Sequence, residues 1–185
     1  INVDTLLSAI LERALEAGDI HDAVIASSEQ QAKSLWKLRE GIVEGQRLEG
    51  ASIKHDVSVP VSKVPEFIET AWAIVAKRVP GIRPCPFGHV GDGNIHFNLS
   101  QPPDMDAGAF LSLWEEVNDL VHDHVAGLGG SFSAEHGIGM SKVDEMQRYK
   151  DPTGLKVMAA IKKALDPHNL FNPGKIIPAP NADSR

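Results

Sequence analysis

The chain has 185 residues, 42% of them apolar and 23% charged, and its 18 basic against 25 acidic side chains leave a net charge of −7. That length supports a hydrophobic core without disulfides, and the acidic balance speaks against a nucleic-acid binder, which needs a basic stripe. No apolar run reaches the roughly 18 residues of a membrane span, and the single cysteine, Cys85, excludes an internal disulfide and suits a reducing compartment such as the cytoplasm.

The chain opens at Ile1-Asn2-Val3, without methionine and directly into a helix signal, which reads as a piece of a longer protein lacking its N-terminal part. Asp4 predicts the cap of a helix to about Glu16, with Leu7, Ile10, Leu11, Ala14 and Leu15 on one stripe and Gly18 as the stop. His21 to Ala26 reads as a short strand. Ser28 then caps a helix to about Glu44 with Leu35, Leu38 and Ile42 inward. Ser52 to Pro60 alternates at period two, so Ile53, Val57 and Val59 share the face away from Lys54, Asp56 and Ser58.

Ser62 caps a third helix through Arg78, with Val64, Ile68, Ala71 and Val75 inward. Ile82 to Val90 and Asn94 to Leu99 read as two strands, followed by a loop and a long helix from Ala107 to Ala126 with the stripe Phe110, Leu113, Val117, Leu120 and Val121. Gly127 to Gly139 is too glycine-rich for a regular element. Two short helices, about Lys142–Tyr149 and Gly154–Leu165, precede a polar tail expected to fray. A hairpin at the centre of an alternating pattern favours an α+β fold, with helices against a largely antiparallel, ferredoxin-like sheet and a helical C-terminal segment. No phosphate-binding loop appears, and glycines 88, 91 and 93 lie between two strands, the wrong context for a dinucleotide loop.

The hairpin carries the strongest chemical signal. Asp92-Gly93 predicts a two-residue type I′ turn that pairs Gly91 with Asn94, Val90 with Ile95 and His89 with His96. Opposed residues share a face with Cβ atoms about 4.5–5.5 Å apart. Both imidazoles then project together, Asn98 follows by period two, and Val90, Ile95, Phe97 and Leu99 fill the other face. Such a pair either holds a divalent cation jointly or is two unrelated surface histidines beside a turn.

Ser131 to Gly139 adds Glu135 and His136 in a loop able to turn sharply. Glu135 completes a two-histidine, one-carboxylate set with open positions for substrate, leaving His136 as a base; alternatively Glu135 is an ordinary capping residue. Arg39 and Lys54 suit substrate carboxylates, as a fork and a point charge, unless Arg39 pairs with Glu40 or Glu44 and Lys54 with Asp56. The remaining histidines, 21, 55, 122, 124 and 168, have no partners in the pattern.

Five blocks in order resemble the C-terminal part of FAD-linked oxidases of the vanillyl-alcohol oxidase type, closest to the branch of D-2-hydroxyglutarate and D-lactate dehydrogenases. They are Leu35-Trp36-Lys37-Leu38-Arg39-Glu40, Lys54 to Pro60, the His89 to Asn98 hairpin, Ser133 to Gly139, and Asp166 to Lys175. The resemblance implies that His89, His96 and Glu135 are metal ligands, for zinc first and manganese or iron as substitutes. It implies that Arg39 and Lys54 anchor the carboxylates of a 2-hydroxy acid, that Asn98 hydrogen-bonds beside the metal, and that His136 takes the hydroxyl proton. Asn172 would lie near the flavin.

The branch carries a threonine one turn after the helix arginine, where this chain has Val43, which removes one substrate hydrogen bond. Glycolate-oxidase relatives usually lack counterparts of Lys54 and Asn98. The division implied is a cap or substrate domain over residues 1–140 and a segment over 141–185 returning to an FAD domain. The isolated chain should then fold but be inactive. Its partners would be the substrate, an electron acceptor (quinone or electron-transfer flavoprotein), and a second copy in a homodimer. Competing readings are a glycolate or D-lactate oxidase subunit, a metal-dependent hydrolase, and a non-catalytic ferredoxin-like module.

Overall fold

The computed structural model describes residues 2–89 and 91–177. Val90, expected on the apolar face of the hairpin, and the tail from Pro178 onward lie outside the described residues. The chain falls into two compact units, Ile1–Gly45 and Gln46–Arg185.

In the first unit, α1 (Val3–Ala17) starts at Asn2 rather than Asp4. The Asn2 Oδ1 accepts the N–H groups of Asp4 at 3.0 Å and Thr5 at 3.3 Å, satisfying two donors that the helix leaves open. Gly18, at φ 75°, ends the helix in the left-handed conformation. The strand expected at His21–Ala26 is irregular chain instead. Its apolar residues suit a strand, but no neighbour offers a ladder to its backbone. Ser28 Oγ accepts the N–H of Gln31 at 3.2 Å at the start of α2 (Glu29–Leu48), whose last turn belongs to the second unit. Leu7, Ile10, Leu15, Leu35 and Leu38, expected inward, are exposed; periodicity marked their faces but could not supply a cover.

The second unit is built around an antiparallel sheet. Its strands are β1 (Ser52–Ile53), β2 (Asp56–Ser58), β3 (Arg83–His89) and β4 (Asn94–Ser100), with a 3-10 turn at Val61–Lys63 and α3 (Val64–Arg78) between β2 and β3. Strand β4 is central. Along one side it pairs with all of β3, from Arg83↔Ser100 to His89↔Asn94. Along the other it pairs with β1 and β2 in a single register, Ile53↔Leu99 and Val57↔Ile95. The gap between β1 and β2 is held by His55, whose carbonyl accepts the N–H of Phe97 at 3.0 Å.

The helix expected from Ala107 to Ala126 is broken into α4 (Ala107–Leu111), capped by Asp106, and α5 (Trp114–Gly127). After the glycine-rich loop come α6 (Val143–Tyr149) and α7 (Pro152–Leu165). One sheet face, formed by Ile53, Val57, Ile95, Phe97 and Leu99, is buried with Phe67, Ala71 and Val75 of α3 and Val117, Val121 and Val125 of α5. Phe67 and Phe97 meet edge to face with centroids 5.4 Å apart. The architecture is α+β, helices on an antiparallel sheet, as the alternation of elements led us to expect. No described helix is long and apolar enough to cross a membrane.

The hairpin register differs from the expected one. His89 lies opposite Asn94, and His96 lies opposite Phe87, two residues away from the pairing that a two-residue Asp92-Gly93 turn would impose. A type I′ turn needs positive φ at both central residues, and only Gly93 (φ 74°) has it. Asp92 instead turns its carboxylate back to accept the N–H of Asn94 at 3.1 Å. Gly93 also lies against the chain after β2, where a Cβ would stand 1.9 Å from the Val59 carbonyl oxygen.

Candidate metal centre and substrate face

Because side chains alternate along a strand, the two-residue change of register leaves His89 and His96 on one face. That face is opposite the core and carries Cys85, Phe87 and His89 from β3 and Asn94, His96, Asn98 and Ser100 from β4. Asp56 and Ser58 of β2 pair with His96 and Asn94 on the same face, and Lys54 falls on it by alternation with the buried Ile53, His55 and Val57. A bridge between Ser58 and Ser131 brings the glycine-rich loop alongside, with Ser58 N–H to Ser131 O at 2.9 Å and the reciprocal bond at 2.8 Å.

The loop delivers Glu135 to both histidines. Its Oε1 is 3.2 Å from His89 Nδ1 and its Oε2 is 3.8 Å from His96 Nε2. Asn94 Nδ2 donates a short hydrogen bond to Glu135 Oε1. Donors sharing a cation at bond lengths of ~2.0–2.2 Å stand about 3.0–3.5 Å apart. Glu135 thus reaches each imidazole through a different oxygen, and one ion shared by all three would need these donors drawn closer together.

A second set overlaps the first. Single donor atoms of Asp56, His96 and His136 lie within 4.8 Å of one another. Asp56 Oδ1 is 3.9 Å from His96 Nδ1, Asp56 Oδ2 is 3.7 Å from His136 Nδ1, and the rings of His96 and His136 stack with centroids 5.8 Å apart. Asp56 is only 3% exposed. Burial alone would raise its pKa, but the N–H groups of His136 and Glu135, with the charges of His136 and Lys142, outweigh burial and hold it below the usual carboxylate range.

The expected substrate residues are placed as follows. Asn98 is buried, and its Nδ2 donates to Gln46 Oε1 at 2.9 Å, while Gln46 Nε2 donates to Ser100 Oγ at 3.3 Å. Lys54 is exposed and pairs with no carboxylate among the described residues; the alternative Lys54–Asp56 pair does not form, because the Asp56 oxygens are taken by backbone N–H groups. Arg39 is half-buried on α2 in the first unit and is already engaged in an interaction. Asn172 is exposed, in a left-handed turn at φ 47°, and its Oδ1 accepts from Lys175 Nζ at 3.3 Å. That turn hangs on Asp166, which accepts the N–H groups of Leu170 and Phe171, both at 2.9 Å.

Sequence reasoning gave no site role to Asp56, Asn94 or Gln46. Asn94 was within reach of the period-two rule that placed Asn98, applied backward from His96. Alternation puts Asp56 on the polar face of its strand and beside Lys54, but the backbone groups that surround it come from about 80 residues further along the chain. Gln46 carries no motif signal.

The fold is an α+β domain with a histidine–carboxylate cluster on the polar face of its sheet, and comparison with known proteins places it in a family. Residues 2–176 match the family model described as FAD linked oxidases, C-terminal domain, and the chain belongs to that family. It is 42% identical over 171 residues to a D-2-hydroxyglutarate dehydrogenase of Stutzerimonas stutzeri (strain A1501), covering 92% of this chain and 37% of that protein. It is 38% identical over 168 residues to a protein of the same name from Xanthomonas citri pv. viticola, covering 91% of this chain and 35% of that protein. A mitochondrial D-2-hydroxyglutarate dehydrogenase of Arabidopsis thaliana is 37% identical over 174 residues, covering 93% of this chain and 29% of that protein. The chain thus spans about a third of the length of these relatives.

Proposed function

We propose that this chain is the substrate- and metal-binding part of an FAD-dependent D-2-hydroxy-acid dehydrogenase that oxidises a 2-hydroxyglutarate-like substrate to the 2-oxo acid. The observation that carries this reading is the meeting of His89, His96 and Glu135 on one sheet face, with His136 beside them, in a chain of the FAD-linked oxidase family. His89, His96 and Glu135 would hold a divalent ion, for which the resemblance implies zinc first and manganese or iron as substitutes. A bound ion of this kind lowers the pKa of a coordinated hydroxyl and fixes the direction of the Cα–H bond.

His136, exposed at the mouth of the site, takes the hydroxyl proton; a positioned imidazole is typically worth about 10²–10⁴ in rate. Lys54 supplies a point charge for a substrate carboxylate. Asn98, held by Gln46, keeps a second amide hydrogen to donate beside it. No side chain among these can accept a hydride; a bound FAD would supply the hydride acceptor, with a quinone or an electron-transfer flavoprotein as the onward electron acceptor. Residues 1–140 then form the substrate side and 141–185 the return toward the flavin, where the Asn172 amide suits a flavin carbonyl. The single cysteine agrees with a reducing compartment such as the cytoplasm.

The test joins metal analysis to turnover of several D-2-hydroxy acids by the intact flavoenzyme. His96→Ala is expected to lose the metal and at least a hundredfold in kcat/KM with flavin still bound. Full activity in that variant removes the reading.

A further inference from the structure

The overlap between the two donor sets has a physical resolution. The Asp56 carboxylate is engaged mainly by the loop backbone, Oδ2 more fully than Oδ1. Oδ2 accepts the N–H groups of Ala134 at 3.2 Å, Glu135 at 3.0 Å and His136 at 2.8 Å, and Oδ1 accepts that of Glu135 at 3.2 Å. A carboxylate offers about four lone-pair sites. Three successive N–H groups turned onto one anion form a nest, and the anion it holds here is the protein's own.

We infer that Asp56 is the positioning residue of this centre: its buried carboxylate clamps the backbone of residues 134–136 so that Glu135 is presented to His89 and His96 and His136 to the substrate side. The inference rests on the proposed ligand set and adds to it a residue that touches neither metal nor substrate.

The surrounding contacts explain why a clamp is needed. The loop is tied at its start by the Ser58–Ser131 bridge and at its far end by the bond from Ile176 N–H to Gly139 O at 2.8 Å. Between these ties, Gly137 and Gly139 adopt positive φ (76° and 55°), conformations that glycine enters at little cost in either direction. Asp56 sits on β2, paired directly with His96 on β4. The clamp thus refers the loop-borne Glu135 to the same ladder that carries one of its co-ligands.

Two measurements test this. In the wild-type intact enzyme, the amides of residues 134–136 should resist hydrogen exchange as the β4 amides do; exchange as fast as expected for an exposed loop overturns the clamp. In zinc titrations of the metal-stripped intact enzyme, Asp56→Asn is expected to bind zinc about 10–100-fold more weakly, while His136→Ala binds as wild type. Wild-type zinc affinity in Asp56→Asn overturns the inference. So does complete loss of zinc in both Asp56→Asn and His136→Ala, matching His96→Ala, which would make them ligands. Glu135→Gln separates the two levels. If it binds zinc as wild type, the ligand set itself fails; if it weakens binding and Asp56→Asn does not, only the positioning role fails.

Discussion

His55 should make the second unit acid-sensitive well above the carboxylate range. Its imidazole is 2% exposed, between Phe97 and an edge-on His122 whose ring centroid is 5.5 Å away. Nδ1 donates to the Phe97 carbonyl at 2.8 Å, and Nε2 is buried with no hydrogen-bond partner among the described residues. Burial is the main reason its pKa falls from 6.5 to about 3; the Phe97 hydrogen bond opposes the fall, and His122 and Lys142 add to it. The folded state therefore keeps His55 neutral while the unfolded chain takes up a proton below pH 6.5. The folded pKa is depressed, so stability is intact above 6.5 and declines as pH falls toward 3. At about 1.36 kcal/mol per pH unit, moving from pH 7.5 to 5.5 should remove about 1.4 kcal/mol through this residue. His55→Asn keeps an N–H to offer Phe97 and does not titrate. Urea unfolding of both proteins at the two pH values should show the wild type losing about 1.4 kcal/mol more than the variant. Parallel losses would refute the assignment of a buried neutral imidazole.

Gly93→Ala meets the Val59 carbonyl at 1.9 Å and must hold φ at 74°, so it should cost at least about 2 kcal/mol and lower the melting midpoint by about 4–8 °C. Gly91→Ala, with open space around its Cβ and no positive φ, should move stability by less than about 0.5 kcal/mol; equal midpoints for the two variants would contradict the close approach. Lys54→Met removes an exposed cation that has no carboxylate partner among the described residues. Its melting midpoint should match wild type while kcat/KM for a D-2-hydroxy acid falls about 10–100-fold, the worth of a charge-assisted bond of ~1.5–3 kcal/mol. Unchanged kcat/KM would release Lys54 from the substrate role.

The fold was most legible where apolar spacing answered to one sheet face. Val64, Ala71, Val75, Val117 and Val121 lie in the core because a helix and a strand each bury what their period aligns, and those periods show in any window of the sequence. The strand expected at His21–Ala26 failed for the opposite reason. A strand exists only by pairing, and pairing depends on a neighbour that local composition cannot reveal. The exposed leucines of α1 and α2 make the same point, since an amphipathic face states a need for cover without saying what provides it.

The site was legible through parity. A strand displays alternate residues on alternate faces, so an error of two residues in the hairpin register left His89, His96 and Asn98 together, whereas an error of one would have parted the histidines. Such immunity covers residues on paired strands and nothing else. Glu135 and His136 reach the face through a loop whose path is set by a bridge at Ser131 and by the carboxylate of Asp56, and neither leaves a periodic trace. Their place in the site was read from residue chemistry, because a carboxylate and an imidazole adjoining glycines are costly to leave without a role. Asp56 escaped because its partners are backbone N–H groups, which every residue but proline carries and no sequence pattern marks. A buried acid beside a histidine strand, with no cation in its own segment placed to neutralise it, was the signal available. Reading it required asking where the charge goes, and the answer, three amides of a distant loop, exists only once the chain has folded.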